Sequence, residues 1–153
     1  MSKAPRLPWS TLAPKALQAM ISLNGSLSES QLGKRLIDLV FTRVSQLNGC
    51  AYCVDSHVRD LRADGEEWQR INSLITWREV SLYSDRERAA LNWSETMTRL
   101  ADNHIDRDAD FALLQKHFND KEIVELTVAI AAMNAWNRLG VGMHLPVDEK
   151  PIE

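Results

Sequence analysis

The sequence predicts an all-α fold, and three observations support this prediction. Apolar residues recur at three- and four-residue steps through most of the chain, which is the period of a helix with one buried face. No convincing run alternates between apolar and polar residues, as a half-buried strand would. The five prolines lie near the two ends, and none stands between Pro14 and Pro146 to interrupt a helical body.

The first predicted helices have recognisable starts and stops. A short helix is expected over 14–24, because proline suits a first helical turn and Gly25 supplies a stop. A second is expected over 30–47, where leucine, valine and phenylalanine form an apolar stripe that implies one buried face. The pair Asn48-Gly49 then ends this helix, because both residues tolerate left-handed backbone.

Capping residues predict most of the remaining helices. Ser84 and Glu87 have the spacing of a capping box, in which the two side chains satisfy backbone donors of the first turn. Aspartates that can cap a helix stand at positions 106 and 120, and Gly140 can end the last helix. The predicted segments are 50–65 with a short continuation over 66–75, then 84–101, 106–118 and 120–139.

The last predicted helix is apolar nearly all round over its middle turns. Such a helix is buried on nearly all sides. Its surroundings are either the core of its own protomer or a second subunit, and the sequence leaves both open.

Length and composition predict a single domain over 1–153. The chain is 44% hydrophobic and 25% charged, which is ordinary for a globular protein. Its net charge of −3 argues against nucleic acid as a partner. No apolar run approaches the roughly 18 residues of a membrane span. The first residues lack the apolar core of a signal peptide, so we expect a cytoplasmic protein without a membrane partner.

The two cysteines, Cys50 and Cys53, are followed by His57. On a helix all three lie within about 60° of one face. Cys50 falls at the start of the helix, where unpaired N–H groups and the macrodipole favour a thiolate. Histidine accepts or delivers a proton near neutral pH. The arrangement is the one that a dithiol with a proton carrier needs.

Other chemistry fits this cysteine pair less well. A c-type haem site has histidine directly after the second cysteine, where Val54 stands here. A structural zinc needs a fourth ligand, and there is no second CxxC and no HxxxH pair. A thioredoxin-like redox motif needs a βαβ context, and the predicted elements of this chain include no strand. We therefore expect no cofactor and no metal, while a pair of buried structural thiols stays open.

The residues around the cysteines resemble the alkyl hydroperoxidase D (AhpD) family, within the carboxymuconolactone decarboxylase superfamily. The resemblance rests on RVSQLNGCAYC at 43–53, on His57, on SDRERAAL at 84–91 and on NAWNRL at 134–139. It covers about 6–146 and is closest to the small peroxidase-related branch of that family.

The resemblance implies a site with an acidic residue twelve positions before the first cysteine. That residue is Asp38, where the family typically has glutamate. By the same resemblance Asp38 and His57 carry protons, Cys53 attacks a hydroperoxide to become a sulfenic acid, and Cys50 condenses with it to a disulfide. The helix-dipole argument instead favours Cys50 as the thiol of lower pKa, so the two arguments assign the cysteine roles differently.

The resemblance also implies partners. These are a hydroperoxide substrate, a dithiol reductant that in the family can be a lipoyl-bearing protein, and further copies of the chain in a trimer or hexamer. It places the domain core at about 31–145. The decarboxylase branch of the superfamily lacks the CxxC pair, so lactone decarboxylation is disfavoured.

We therefore expect an enzyme, a thiol-dependent peroxidase. Two alternatives stay open. One is a thiol–disulfide exchange protein or redox sensor with little peroxidase turnover. The other is a non-redox helical oligomer whose cysteines are structural.

Overall fold

Helices make up the regular secondary structure of the chain. The computed structural model describes residues 4–102 and 104–153; residues 1–3 of the predicted domain and Asn103 lie outside the described residues. Within the described ranges there is no strand, which confirms the all-α prediction. The helices are α1 (Trp9–Leu12), α2 (Pro14–Ser28), α3 (Lys34–Asn48), α4 (Ala51–Ala63), α5 (Trp68–Ser73), α6 (Asp85–Thr98), α7 (Arg107–Gln115) and α8 (Asp120–Met143), with a 3-10 helix over Leu74–Glu79.

Two of the predicted helix stops are wrong. Helix α2 continues through Gly25 to Ser28, and α8 continues through Gly140 to Met143. A glycine ends a helix where the chain turns left-handed, as it does at Gly49 after α3. Neither Gly25 nor Gly140 has a positive φ, so both are ordinary helical residues.

The predicted caps are mostly confirmed. Ser84 forms the predicted capping box at the start of α6, and Asp106 caps α7 by accepting a backbone N–H. Helix α8 is capped by Asn119 and not by Asp120. Asn119 and Glu122 form a second capping box, which places the cap one residue earlier than predicted.

Helix α3 lies at the centre of the fold, in contact with α4, α6 and α8. Every residue from Leu36 to Ser45 is buried, so the helix has no exposed face over this stretch, contrary to the single buried stripe expected from sequence. Its buried Arg43 is paired with Glu95 of α6 at 2.7 Å. Asp38 also lies in this buried stretch, so its carboxylate is in the interior of the protein.

Helix α8 packs against five other helices of the same protomer, α2, α3, α4, α6 and α7. Two of its valines nevertheless remain exposed, Val124 at 61% and Val128 at 36%. The core of the protomer therefore accounts for much of the apolar character of this helix. Assembly into an oligomer stays a prediction. In the described part of the chain, none of the helices combines the length and apolar character that a bilayer span requires.

Glu66 is a buried carboxylate that ties α3 to α5. Its side chain is fully buried and accepts hydrogen bonds from Arg35 at 2.8 and 2.9 Å and from Arg70 at 2.8 Å. Burial alone would raise the pKa of Glu66, but the two guanidinium groups outweigh it and lower the pKa from 4.5 to about 2.

We expect Glu66→Gln to lower the free energy of unfolding by about 2–3 kcal/mol at neutral pH, because charge-assisted hydrogen bonds are lost. The wild-type carboxylate has a lower pKa folded than unfolded, so its contribution is present above pH 4.5 and is lost as the pH falls towards about 2. Urea unfolding at neutral and acidic pH should show the two proteins converging in acid. A difference that stays constant with pH would contradict this role.

Candidate redox site

A left-handed turn at Gly49 places Cys50 at the start of α4. Gly49 has φ 65°, and the Cys50 N–H donates to the carbonyl of Ser45 at 3.0 Å. Cys50 is the N-cap residue of α4, and its sulfur accepts the backbone N–H of Cys53 at 3.4 Å. The Cys50 sulfur therefore lies where the N–H groups of a helix start favour a thiolate.

Cys50 and Cys53 are both buried and are joined as a disulfide. Their Cα atoms lie 5.3 Å apart, within the usual range for a disulfide. One turn of helix thus holds the two sulfurs close enough to bond.

His57 lies one turn beyond Cys53 and faces Asp38 across the contact between α4 and α3. The His57 Nδ1 is 3.4 Å from Asp38 Oδ1 and 3.5 Å from Asp60 Oδ2. This nitrogen is buried and makes no hydrogen bond to any of the described residues. The ring of Phe41 packs edge-on against the imidazole, with centroids 5.0 Å apart. Packing against Phe41 and the nearby carboxylates of Asp38 and Asp60 therefore hold the imidazole in place. Its other ring nitrogen, Nε2, can also exchange a proton.

Asp38 is a buried carboxylate paired with a cation. Its Oδ2 accepts a hydrogen bond from Lys34 Nζ at 2.8 Å. Burial alone would raise the pKa of Asp38, but His57 and Lys34 outweigh it and lower the pKa from its ordinary value. Asp38 is therefore ionised at neutral pH and presents a fixed negative charge to the imidazole.

Asp38, His57 and Asp60 bring donor atoms within 4.8 Å of one another. Oxygen and nitrogen donors of this kind hold divalent metals in proteins. Here the ammonium of Lys34 already pairs with Asp38. We therefore interpret the cluster as a charge network around the imidazole.

Cys53 and His57 line the same cavity, which has a volume of about 540 Å³. Its walls come from α1, α2, α4, α8 and the C-terminal segment, and among the described residues that line it His57 is the only one with a basic side chain. Trp9 and Trp136 meet edge to face in its wall, with ring centroids 6.1 Å apart. We call this space the Cys53 cavity; its other apolar walls include Leu17, Ile21, Met133 and Leu145.

Asn137 of α8 positions the turn before the cysteines, and sequence reasoning did not identify it. Its buried side chain donates to Ser45 Oγ at 2.9 Å and accepts from Asn48 Nδ2 at 2.9 Å. These bonds fix the end of α3 just before Gly49. Asn137 is 89 residues from Asn48 in sequence, so no local spacing links them. The signal that pointed to this stretch was its resemblance to the family at 134–139.

Gly140, which the sequence suggested only as a helix stop, packs directly on the disulfide. A Cβ atom at this position would lie 2.6 Å from the Cys50 sulfur and 3.2 Å from the Cys53 sulfur. Only a residue without a side chain therefore fits between α8 and the sulfur pair in this arrangement.

We expect Gly140→Ala to lower the free energy of unfolding of the oxidised protein by about 1–2 kcal/mol, since the clash outweighs the gain of alanine in a helix. The matched control is Gly142→Ala in the same helix, where an added Cβ has no atom of the described residues within 4 Å beyond its own surroundings in the helix. The control should be neutral or stabilising. Chemical denaturation of both variants measures the contrast, and equal effects would show that Gly140 does not constrain the sulfurs.

Comparison with known proteins identifies the family of the chain and relatives in sequence. A model of the carboxymuconolactone decarboxylase family matches residues 14–96. The uncharacterized protein YdfG of Bacillus subtilis is 33% identical over 138 residues, which cover 90% of this chain and 93% of that protein.

Two solved structures have the same fold. A protein of unknown function from Agrobacterium tumefaciens, considered a candidate antioxidant defence protein AhpD, is 40% identical with a TM-score of 0.88; the match covers 97% of this chain and 99% of the other. An uncharacterized peroxidase-related protein from Silicibacter sp. TM1040 is 28% identical with a TM-score of 0.76, covering 88% of this chain and 72% of the other.

Proposed function

The chain belongs to the carboxymuconolactone decarboxylase family and is AhpD-like, and on this basis we propose that it is a thiol-dependent peroxidase acting through a Cys50–Cys53 disulfide. The observation that carries the proposal is the Cys53 cavity, where a redox-capable sulfur and a proton-carrying imidazole meet in apolar surroundings. The names of the two solved neighbours, which refer to antioxidant defence and to peroxidases, point in the same direction.

In the first step the Cys53 thiolate attacks the terminal oxygen of a hydroperoxide. An S–O bond forms, the O–O bond breaks, and the leaving alkoxide takes a proton from His57 to depart as an alcohol. Cys53 becomes a sulfenic acid. Cys53 is assigned this role because it shares a cavity with His57, whereas Cys50 does not line that cavity.

In the second step the Cys50 thiolate attacks the sulfur of the Cys53 sulfenic acid. The S–S bond forms, the S–O bond breaks, and the departing hydroxide takes a proton from the solvent to leave as water. The N-cap position of Cys50 favours the thiolate that this step needs. The helix start and the cavity thus support different roles for the two cysteines, and the roles are compatible.

Asp38 acts through His57 as a positioning residue. We expect Asp38→Asn to slow thiol oxidation by hydroperoxide about tenfold to a hundredfold, because the imidazole loses the charge that orients it. Asp60→Asn is the matched control, since Asp60 also faces Nδ1 but is 48% exposed. Initial rates of thiol loss compare the two. An Asp38→Asn variant as fast as its control would mean that Asp38 has only a structural role.

The test of the proposal is turnover. With hydroperoxide in excess and dihydrolipoamide as reductant, a peroxidase forms alcohol continuously in proportion to protein concentration. A single round of disulfide formation without turnover would favour the exchange protein or redox sensor. An absence of disulfide formation would favour the non-redox oligomer with structural cysteines.

A further inference from the structure

Part of the wall of the Cys53 cavity belongs to the N-terminal arm, by which we mean residues 6–28 with helices α1 and α2. The reactive side chains of the cavity, Cys53 and His57, come from α4 instead. The lining residues that the arm contributes are Trp9, Ser10, Leu17, Ile21 and Asn24. A molecule that fills the cavity therefore meets two separate segments, one that carries the thiol and the imidazole and one that carries neither.

The arm lies on the surface and is attached to α8 near both of its own ends. At the start, the Arg6 N–H donates to the carbonyl of Met143 at 2.9 Å. Near the end, Trp136 Nε1 donates to Asn24 Oδ1 at 3.1 Å. Helix α1 contributes no residue to the core, and Leu27 is the buried residue of α2. Side chains of α1 can therefore be changed without opening the core.

Trp9 is the only aromatic residue in the sequence of the arm. It is half-buried, whereas Leu12 of the same short helix is 67% exposed. Its ring meets Trp136 edge to face and lines the Cys53 cavity. The exposed helix α1 thus directs its largest apolar side chain towards the cavity.

We propose that Trp9 is a specificity-determining residue, which binds the organic group of the substrate and so selects hydroperoxides with a bulky uncharged aryl group over hydrogen peroxide. This inference rests on the proposed function, because the substrate occupies the same cavity. It gives the arm a part in the choice of substrate and none in the bonds that form and break.

The proposed chemistry leaves the choice of substrate to contacts away from the sulfur. The thiolate attacks the terminal oxygen, so the organic group is not among the reacting atoms. Substrates that differ only in this group are therefore distinguished by what the group touches in the transition state. Hydrogen peroxide has no apolar surface to bury. An aryl group buries apolar surface against Trp9 and Trp136, and aromatic rings pair favourably edge to face.

The size and charge of the cavity favour an uncharged organic group. Its volume of about 540 Å³ is in the range of cavities that bind small organic molecules. A cationic group finds no carboxylate among the described lining residues, and an anionic group finds only His57, which the proposed chemistry uses as a proton donor. Burying a charged group without a partner is costly.

The test replaces Trp9 by alanine and by phenylalanine, with Leu12→Ala as the matched control. Leu12 lies in the same helix, but it is not among the described residues that line the cavity. Because α1 contributes nothing to the core, all three variants should fold. Each protein is fully reduced, and stopped-flow measurement gives the rate constants of thiol loss with cumene hydroperoxide and with hydrogen peroxide.

We expect Trp9→Ala to lower the ratio of these rate constants, cumene hydroperoxide over hydrogen peroxide, about tenfold, because the aryl group loses its apolar wall. Trp9→Phe should keep most of the wild-type ratio, and Leu12→Ala should match the wild type. A purely structural role of Trp9 would lower both rate constants together and leave the ratio unchanged. An unchanged ratio in Trp9→Ala, or an equal fall in Leu12→Ala, would overturn the inference.

Binding of cumyl alcohol, the product formed from cumene hydroperoxide, tests the same wall without any peroxidase reaction. A titration followed by NMR should give a dissociation constant about tenfold higher for Trp9→Ala than for the wild type or Leu12→Ala. Equal affinities would overturn the inference. Failure of the peroxidase proposal would appear separately, as a reduced wild-type protein that reacts with neither hydroperoxide faster than free cysteine does.

Discussion

A Cys53→Ser variant is expected to lose its reaction with an organic hydroperoxide, whereas Cys50→Ser should react once and stop at a sulfenic acid. Serine lacks the nucleophilic thiolate, so the first variant cannot form the S–O bond. The second keeps the attacking sulfur next to His57 but has no thiol to displace water. Mass spectrometry after treatment with a sulfenic-acid trap such as dimedone distinguishes the two.

Each of these two variants is the control for the other, because both lack the disulfide and each keeps one buried sulfur. Any effect of losing the disulfide on stability is therefore common to both. A trapped sulfenic acid on Cys50 in the Cys53→Ser variant, with none on Cys53 in the other, would reverse the two roles. The helix-start argument would then decide the nucleophile, and the Cys53 cavity would not be the substrate site.

The second large effect is expected at His57. We expect His57→Gln to slow oxidation by hydroperoxide about 10²- to 10⁴-fold, since glutamine keeps much of the size and polarity of histidine but cannot donate a proton to the leaving alkoxide. Stopped-flow measurement of thiol loss at neutral pH gives the rate.

His117→Gln is the matched control for this change, because His117 is not among the described residues that line the Cys53 cavity. Its rate should equal that of the wild type. If His57→Gln were as fast as its control, the imidazole would have no part in proton transfer. Asp38 beside it would then have only a structural role.

The parts of this fold that could be predicted from sequence are those fixed by local rules. The capping box at Ser84 depends on residues three apart, and the common face of Cys50, Cys53 and His57 depends on the helical repeat alone. The turn at Gly49 was also predictable, because few residues tolerate left-handed backbone.

The parts that could not be predicted depend on packing between distant segments. Gly140 was predicted to end the helix, but it lies inside α8. The two sulfurs approach it so closely that no side chain would fit there. Asn137 meets Asn48 only through the contact of α8 with α3. No local sequence pattern identifies Asp38 as a site residue, and only the family resemblance pointed to it. In the structure α3 is buried on all sides, and Asp38 faces His57 across the contact between α3 and α4.

The Cys53 cavity was likewise beyond the reach of sequence patterns. This cavity is lined by Trp9 near the N-terminus, by Trp136 of α8 and by Leu145 beyond it, and no sequence spacing connects these residues. The assignment of chemistry to Cys53 depends on this shared cavity. The sequence could therefore indicate a dithiol with a proton carrier, but that Cys53 and His57 share a cavity became apparent only from the three-dimensional arrangement.

The most direct measurement is a free-thiol count on the fully reduced protein before and after one equivalent of an organic hydroperoxide, followed in time. The proposed function predicts rapid loss of both thiols and a Cys50–Cys53 disulfide by mass spectrometry. Thiols that persist, or that react no faster than free cysteine, would contradict it. The fold of the family would then be present without its peroxidase chemistry.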